Sequence, residues 1–234
     1  MKILFACDLD NTLIHSYKKR RADENICVEH YDGHEQSFIS PRVLDLLKKI
    51  SAKILFIPVT TRSIAQYRRI FWTENFKPRF AVVANGAYFL DGDNREDFLK
   101  NVVAPYENEL KNQLKSADKN IFTTARIVDD SFLFLHCRDD IDAEKISFDT
   151  NLTVKYFGKK IYHFPPKLNK GEALKLLIKK FSPEKVFAAG DSDIDLPMLE
   201  LADVAFGEKN LRGGNFIKFS DAEEFLEIIS SDLL

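Results

Sequence analysis

The sequence is short of several things, and each shortage removes a class of protein. Three cysteines in 234 residues, Cys7, Cys27 and Cys137, lie far apart in no zinc or redox spacing. The expectation is reduced thiols in a cytoplasmic protein rather than a disulfide framework or a thiolate metal centre. The five histidines show no HxH or HExxH pattern, so a histidine-based metal site is not expected either. A surplus of one charge is also missing: 34 basic residues face 36 acidic ones, a formal net charge of −2. Attraction to nucleic acid or to a membrane surface by bulk charge is therefore not expected. No apolar run approaches the roughly 20 residues of a membrane span. The first apolar stretch is too short for a secretory leader and ends in acids. There is no repeat, low-complexity tract or long linker.

What is present is a chain that is 45% hydrophobic, enough for one large domain or a core with a smaller inserted module. Residues 2–7 read as a continuous apolar strand, the pattern of a sheet covered on both faces. Residues 26–39 read as a hairpin turning at Asp32-Gly33. Ser40-Pro41 starts a helix, serine as cap and proline in the first turn. A buried strand at 53–59, a helix over 63–74 and a strand at 79–84 follow, closed by Asn85-Gly86. The rhythm then changes. Short strands are expected near 87–90, 121–128, 131–137, 152–157 and 160–164, with helices near 101–117 and 141–148. After Pro165-Pro166 the alternation returns: helix 170–180, strand 186–190, helix 195–201, strands 203–206 and 216–219, and a last helix from 221. The expected fold class is α/β: a Rossmann-like parallel-sheet core with helices on both faces, built from residues 1–86 and 166–234, with an inserted α+β cap at 87–165.

In open α/β sheets ligands bind beyond the carboxyl ends of the strands. The first strand ends in Asp8 and Asp10, the second in Thr60, and the strand at 186–190 in Asp191-Ser192-Asp193-Ile194-Asp195; Lys170 opens the preceding helix. Brought together, these carboxylates repel one another, and a divalent cation relieves that repulsion. An all-oxygen set favours Mg²⁺. One aspartate is then free to act as a nucleophile in phosphoryl transfer and the next as acid and base. Thr60 and Lys170 are suited to hold phosphoryl oxygens.

These segments resemble the motifs of the haloacid dehalogenase-like superfamily, in its Cof-type and sucrose-phosphate-phosphatase-like branch: DLDNTL at 8–13, FIPVTTR at 56–62, LNKGEAL at 168–174 and GDSDIDLPML at 190–199. The resemblance implies Asp8 as nucleophile and metal ligand, Asp10 as acid/base with its carbonyl on the metal, and Asp191 as a further ligand. Asp195 would support the metal shell or Lys170. Thr60, Thr61 and Lys170 would bind the phosphoryl group, with Arg62, Asn85 and Gly86 near the substrate. Arg62 and Asn85-Gly86 also carry plainer readings, as surface charge and as a turn.

The implied activity is that of a Mg²⁺-dependent phosphatase of small phosphorylated metabolites, sugar phosphates first, in a monomer or homodimer. A phosphomannomutase-like mutase and a catalytically weak regulatory member are the alternatives. Two departures stand out: Asn11 replaces the family's usual glycine, and Ile194 its usual asparagine. Asn11 tolerates left-handed backbone. The 26–39 hairpin is expected over the site or at an interface, the basic run 18–21 is either a solvated loop or an anion attractor, and His15 and His163 are candidate substrate contacts.

Overall fold

The computed structural model describes residues 2–73 and 76–233. Strand β1 (Ile3–Cys7) is buried along its whole length, as a strand covered on both faces must be. After it, Asn11 adopts φ 65°, the left-handed turn expected of it. A short β2 (His15–Ser16) pairs with β4 (His34–Ile39), which also pairs with β3 (Ile26–Tyr31). Asp32 and Gly33 both take positive φ at the hairpin tip, the twist-matched two-residue turn. Helix α1 (Pro41–Ser51) is capped by the Ser40 side chain. Strand β5 (Leu55–Pro58) follows, then α2 (Ile64–Arg68), closed at its start by a reciprocal Ser63–Gln66 capping box.

Helix α2 is far shorter than the 63–74 expected. Trp72 takes φ 55° and is buried edge-on to Phe56 and Phe76, so indole burial wins over helix continuation. The end of that expectation, Glu74, lies outside the described residues.

Strand β6 (Phe80–Val83) joins the core through a parallel bridge between Val59 and Val82. Strands β7 (Tyr88–Asp91) and β8 (Asn94–Asp97) then pair antiparallel outward from β6. Residues 87–97, expected to open the inserted module, thus pair with the core strand instead. The helix expected over 101–117 is split by Pro105 into two short 3₁₀ turns and α3 (Glu107–Lys115), because proline has no N–H to continue a helix. Strands β9 (Phe122–Val128) and β10 (Phe132–Cys137) form a hairpin. The helix expected at 141–148 is only a turn at Ala143–Lys145; the Lys159 ammonium takes the Ile141 carbonyl, which a helix would need for itself. Strands β11 (Thr153–Phe157) and β12 (Lys160–Phe164) complete a four-stranded antiparallel sheet in the order β11-β12-β10-β9.

The chain then returns through α4 (Lys170–Phe181), β13 (Lys185–Gly190), α5 (Leu196–Leu199), β14 (Val204–Glu208), β15 (Ile217–Phe219) and α6 (Ala222–Asp232). The central sheet is parallel throughout, in the order β15-β14-β13-β1-β5. Phe225 of α6 reaches Phe5 in β1. Among the described residues no helix is long and apolar enough to cross a membrane.

The antiparallel sheet has two distinct faces. Val128, Phe132, Phe134, Arg126, Lys160 and Tyr162 look toward the core's strand ends. His163, one residue on, is fully buried, packed edge-on to Phe148 at 4.3 Å with neither ring nitrogen hydrogen-bonded. It is therefore no substrate contact. Burial pushes its pKa down to about 4, against a small opposing effect of Glu109. In the unfolded chain this imidazole takes a proton near pH 6.5; in the folded one it does not. Its contribution is intact above about pH 6.5 and is lost as pH falls toward 4, by a few kcal/mol in all. Urea denaturation of His163→Phe against the parent is expected to show a stability difference that moves in the variant's favour between pH 7 and pH 5.

Candidate active site

The ends of β1, β5 and β13 and the start of α4 meet in one place. Asp8 continues β1, its N–H donating to the Ala189 carbonyl of β13 at 2.9 Å. The Lys170 ammonium donates to Asp8 Oδ1 at 2.5 Å and to Asp195 Oδ1 at 2.6 Å. All three side chains are buried. Asp195 Oδ2 accepts from the Asp191 and Ser192 N–H groups and from the Ser192 hydroxyl. Both oxygens of Asp195 are thus committed, to the lysine and to the loop carrying Asp191. Two glycines allow this. A Cβ on Gly190 would collide with the Asp195 side chain, and one on Gly171 with the Pro197 carbonyl. Ile194 packs against the hydrophobic core.

Asp8, Asp191 and Asp195 each bring a carboxylate oxygen within 4.8 Å of the others. Burial raises the Asp8 pKa to about 7; Lys170 opposes this, and Asp195 and Asp10 add to it. Burial, then the charges of Asp8 and Asp195, raise Asp191 to about 8. Among the described residues the Asp191 carboxylate has no cationic partner. A buried, crowded, all-oxygen set with one carboxylate uncompensated fits a hard divalent cation such as Mg²⁺.

Asp10 has a different environment. Arg62 grips it with two bonds, Nε to Oδ2 and Nη2 to Oδ1, both 2.7 Å. Burial pushes Asp10 upward, but Arg62 outweighs it and leaves its pKa below the ordinary value. Arg62 was expected beside the substrate or at the surface; it lines the cavity above Asp10 but is not a free surface charge. Its guanidinium is held between Asp10 and the buried Glu29 of β3, with Nη1 to Glu29 Oε2 at 2.8 Å. Glu29 also takes Arg69 and the Ser37 hydroxyl of β4. The hairpin expected near the site therefore reaches it through Glu29.

The Thr60 hydroxyl is buried and accepts the Arg62 N–H at 3.1 Å, leaving its own proton free to donate. Thr61 lines the cavity above. Asn85 is buried at φ 57°, donating from Nδ2 to the Leu168 carbonyl at 2.9 Å; Gly86 takes φ 108° beside it. That pair ties the β6 end to the segment leading into Lys170, and the buried Asn85 Oδ1 has no hydrogen-bond partner among the described residues. His15 Nδ1 is taken by Glu24 at 2.5 Å. Sequence reading overlooked Glu29 and Tyr162. Tyr162 lines the same cavity as Asp10, and its pKa is raised by burial first and then by Asp10 and Asp8. Its signal was the alternation in KIYHF, which puts Lys160 and Tyr162 on one face.

The family model for haloacid dehalogenase-like hydrolases matches residues 98–210, a span that holds Lys170, Asp191 and Asp195 but not Asp8. Residues 98–210 are thus similar to haloacid dehalogenase-like hydrolases. Among solved structures, the sucrose-phosphatase from Synechocystis with sucrose and phosphate aligns over 98% of this chain and 97% of its own, at TM-score 0.69 and 14% identity. The C-terminal domain of trehalose-6-phosphate phosphatase from C. albicans aligns over 98% and 92%, at TM-score 0.67 and 14% identity. A haloalkanoate-superfamily phosphatase from Bacteroides thetaiotaomicron aligns over 100% and 96%, at TM-score 0.65 and 14% identity. At such identities these likenesses speak for the fold. No curated protein matches the chain.

Lys170→Met leaves two buried carboxylates without their shared cation, an expected loss of about 3–5 kcal/mol. Urea denaturation at pH 7.5 in EDTA measures it. The loss should shrink toward pH 6, as the abandoned acids take up protons.

Proposed function

We propose that the chain is a Mg²⁺-dependent phosphomonoester hydrolase acting on a small phosphorylated metabolite, a sugar phosphate before others. One observation carries the reading: a buried aspartate at the end of β1 has one oxygen fixed by Lys170, 2.5 Å away, beside a second carboxylate lacking a cation. Among the described residues the other oxygen, Oδ2, has one hydrogen-bond partner, the Thr12 hydroxyl, at 3.5 Å. A fixed carboxylate with one free oxygen is suited to in-line attack on phosphorus.

Asp8 and Asp191, with the Asp10 carbonyl, would hold the Mg²⁺. When bound, the ion screens the clustered carboxylates and the phosphoryl charge. Asp8 Oδ2 attacks the phosphorus and the ester P–O bond breaks. Asp10 gives a proton to the leaving oxygen, which requires that Arg62 yield one Asp10 oxygen as the ester enters. Asp10 then takes a proton from water, the water oxygen attacks the aspartyl-phosphate, and free phosphate leaves with Asp8 restored. Lys170 and the Thr60 O–H hold phosphoryl oxygens throughout. The named phosphatases of sucrose phosphate and trehalose 6-phosphate among the structural relatives support a sugar phosphate as substrate.

A phosphate-release screen over sugar phosphates, with Mg²⁺ and with EDTA, tests this. Release is expected only with the metal, and Asp8→Asn is expected to lower it by at least on the order of 10³-fold. Equal activity in the variant would remove the mechanism. Isomer formation without phosphate release would favour a mutase.

A further inference from the structure

A cavity of about 640 Å³ opens between the Asp10 side chain and the antiparallel sheet, a size suited to a small ligand. Asp8, Thr60 and Lys170 do not line it, whereas Asp10 and Arg62 do. In the reading above the phosphoryl group stays with the former set. The cavity then receives what lies beyond the ester oxygen, the leaving group.

The wall of this cavity is unusual in its charge. Seven basic side chains line it against two acidic ones, Asp10 and Glu29. Both acids are already consumed by Arg62 and Arg69. Of the other five, Lys159 is held by the Asp139 and Ile141 carbonyls and Lys18 lies 5.7 Å over the Tyr17 ring; Lys19, Arg126 and Lys160 remain, from three separate segments: the loop after β2, β9 and β12. Among the described residues none of the three has a carboxylate within 4.0 Å. Lys19 spans the gap, donating to Asn11 Oδ1 at 3.1 Å while lying 5.3 Å over the Phe157 ring. Arg126 lies 5.6 Å over Phe134. Lys160 follows from the register: it pairs across from His136, one row from the Phe134–Tyr162 pair, on the same face. Its charge acts on Asp10.

Lysine and arginine donate hydrogen bonds and accept none. A neutral polyol needs acceptors as well as donors, and the only carboxylates in this wall are taken. A group that only accepts, a carboxylate or a second phosphate, matches three free donors in a partly desolvated cavity. We propose that the leaving group of the substrate carries its own anionic substituent, bound by Arg126, Lys160 and Lys19 on the far side of Asp10 from the transferred phosphoryl group. This rests on the phosphatase reading and narrows its substrate class to phosphate esters with a second negative group.

Matched pairs test it. Glycerol 3-phosphate against 3-phosphoglycerate differs by a carboxylate; fructose 6-phosphate against fructose 1,6-bisphosphate differs by a phosphate. In at least one pair the more anionic member is expected to have a kcat/KM higher by about tenfold or more, and the pair that responds identifies the anion. In the double variant Arg126→Gln, Lys160→Gln the ratio within that pair should fall by about the same factor, mainly through KM. No preference in either pair overturns the proposal. So does a variant that lowers both members equally, since the cations would then merely attract phosphate. Calorimetric binding of the same four compounds to Asp8→Asn separates this inference from the mechanism. If nothing turns over but the more anionic compound binds more tightly, the phosphatase reading falls and the anion site stands. If turnover is present and binding shows no preference, the anion site alone falls.

Discussion

The Lys170 ammonium shared between Asp8 and Asp195 is the contact on which the site is organised. Burying one cation and two carboxylates is costly, and only close hydrogen-bonded geometry offsets the desolvation. That geometry draws on three parts of the chain. β1 must present Asp8, α4 must begin at residue 170, and the turn after β13 must fold back until Asp195 lies under Gly190. Asp195 then fixes the Asp191 loop with its second oxygen. A cation at a helix N-terminus is disfavoured by the helix dipole; here the two carboxylates supply the opposing field.

These partners were legible in the sequence because the parallel sheet fixes where its strand ends lie. A run such as KILFAC can only be a strand covered on both faces, and the acids that follow it have one edge to occupy. Asn11 was readable for a similar reason, since its turn demands a left-handed residue. What failed to show was decided by distant packing. The indole of Trp72 ends α2 early, and the Lys159 ammonium takes the Ile141 carbonyl, which a helix at 141–148 would use. The fate of Arg62 was hidden for the same reason. Its partner Glu29 sits in a hairpin 33 residues away in sequence, and no local pattern marks that glutamate as buried.

The antiparallel sheet shows a subtler limit. Its period-two alternation was in the sequence, and it fixes which residues share a face. Which face meets the strand ends was not, because α3 and the cavity are interchangeable covers for an apolar strand until the chain packs. Once packed, one side holds His163 without a hydrogen bond in apolar surroundings, and the other holds Arg126, Lys160 and Tyr162. One residue of register would exchange them.

The two aspartates of DLDNTL lie one residue apart, yet their environments push them in opposite directions. Asp8 is buried among other acids and is pushed up. Asp10 is gripped at both oxygens by a guanidinium and ends below its ordinary value. A group that must first give a proton and later take one is poorly served by a permanent arginine fork, since the fork favours only the charged form. In the proposed mechanism the fork therefore has to open. Arg62 has a second carboxylate to turn to, because Glu29 holds Nη1 on its other side. An arginine with two acidic neighbours can release one without being left unpaired in a buried place. In the proposed mechanism the hairpin from 26 to 39 would thereby take part in the chemistry, Glu29 holding Arg62 while Asp10 changes its protonation state.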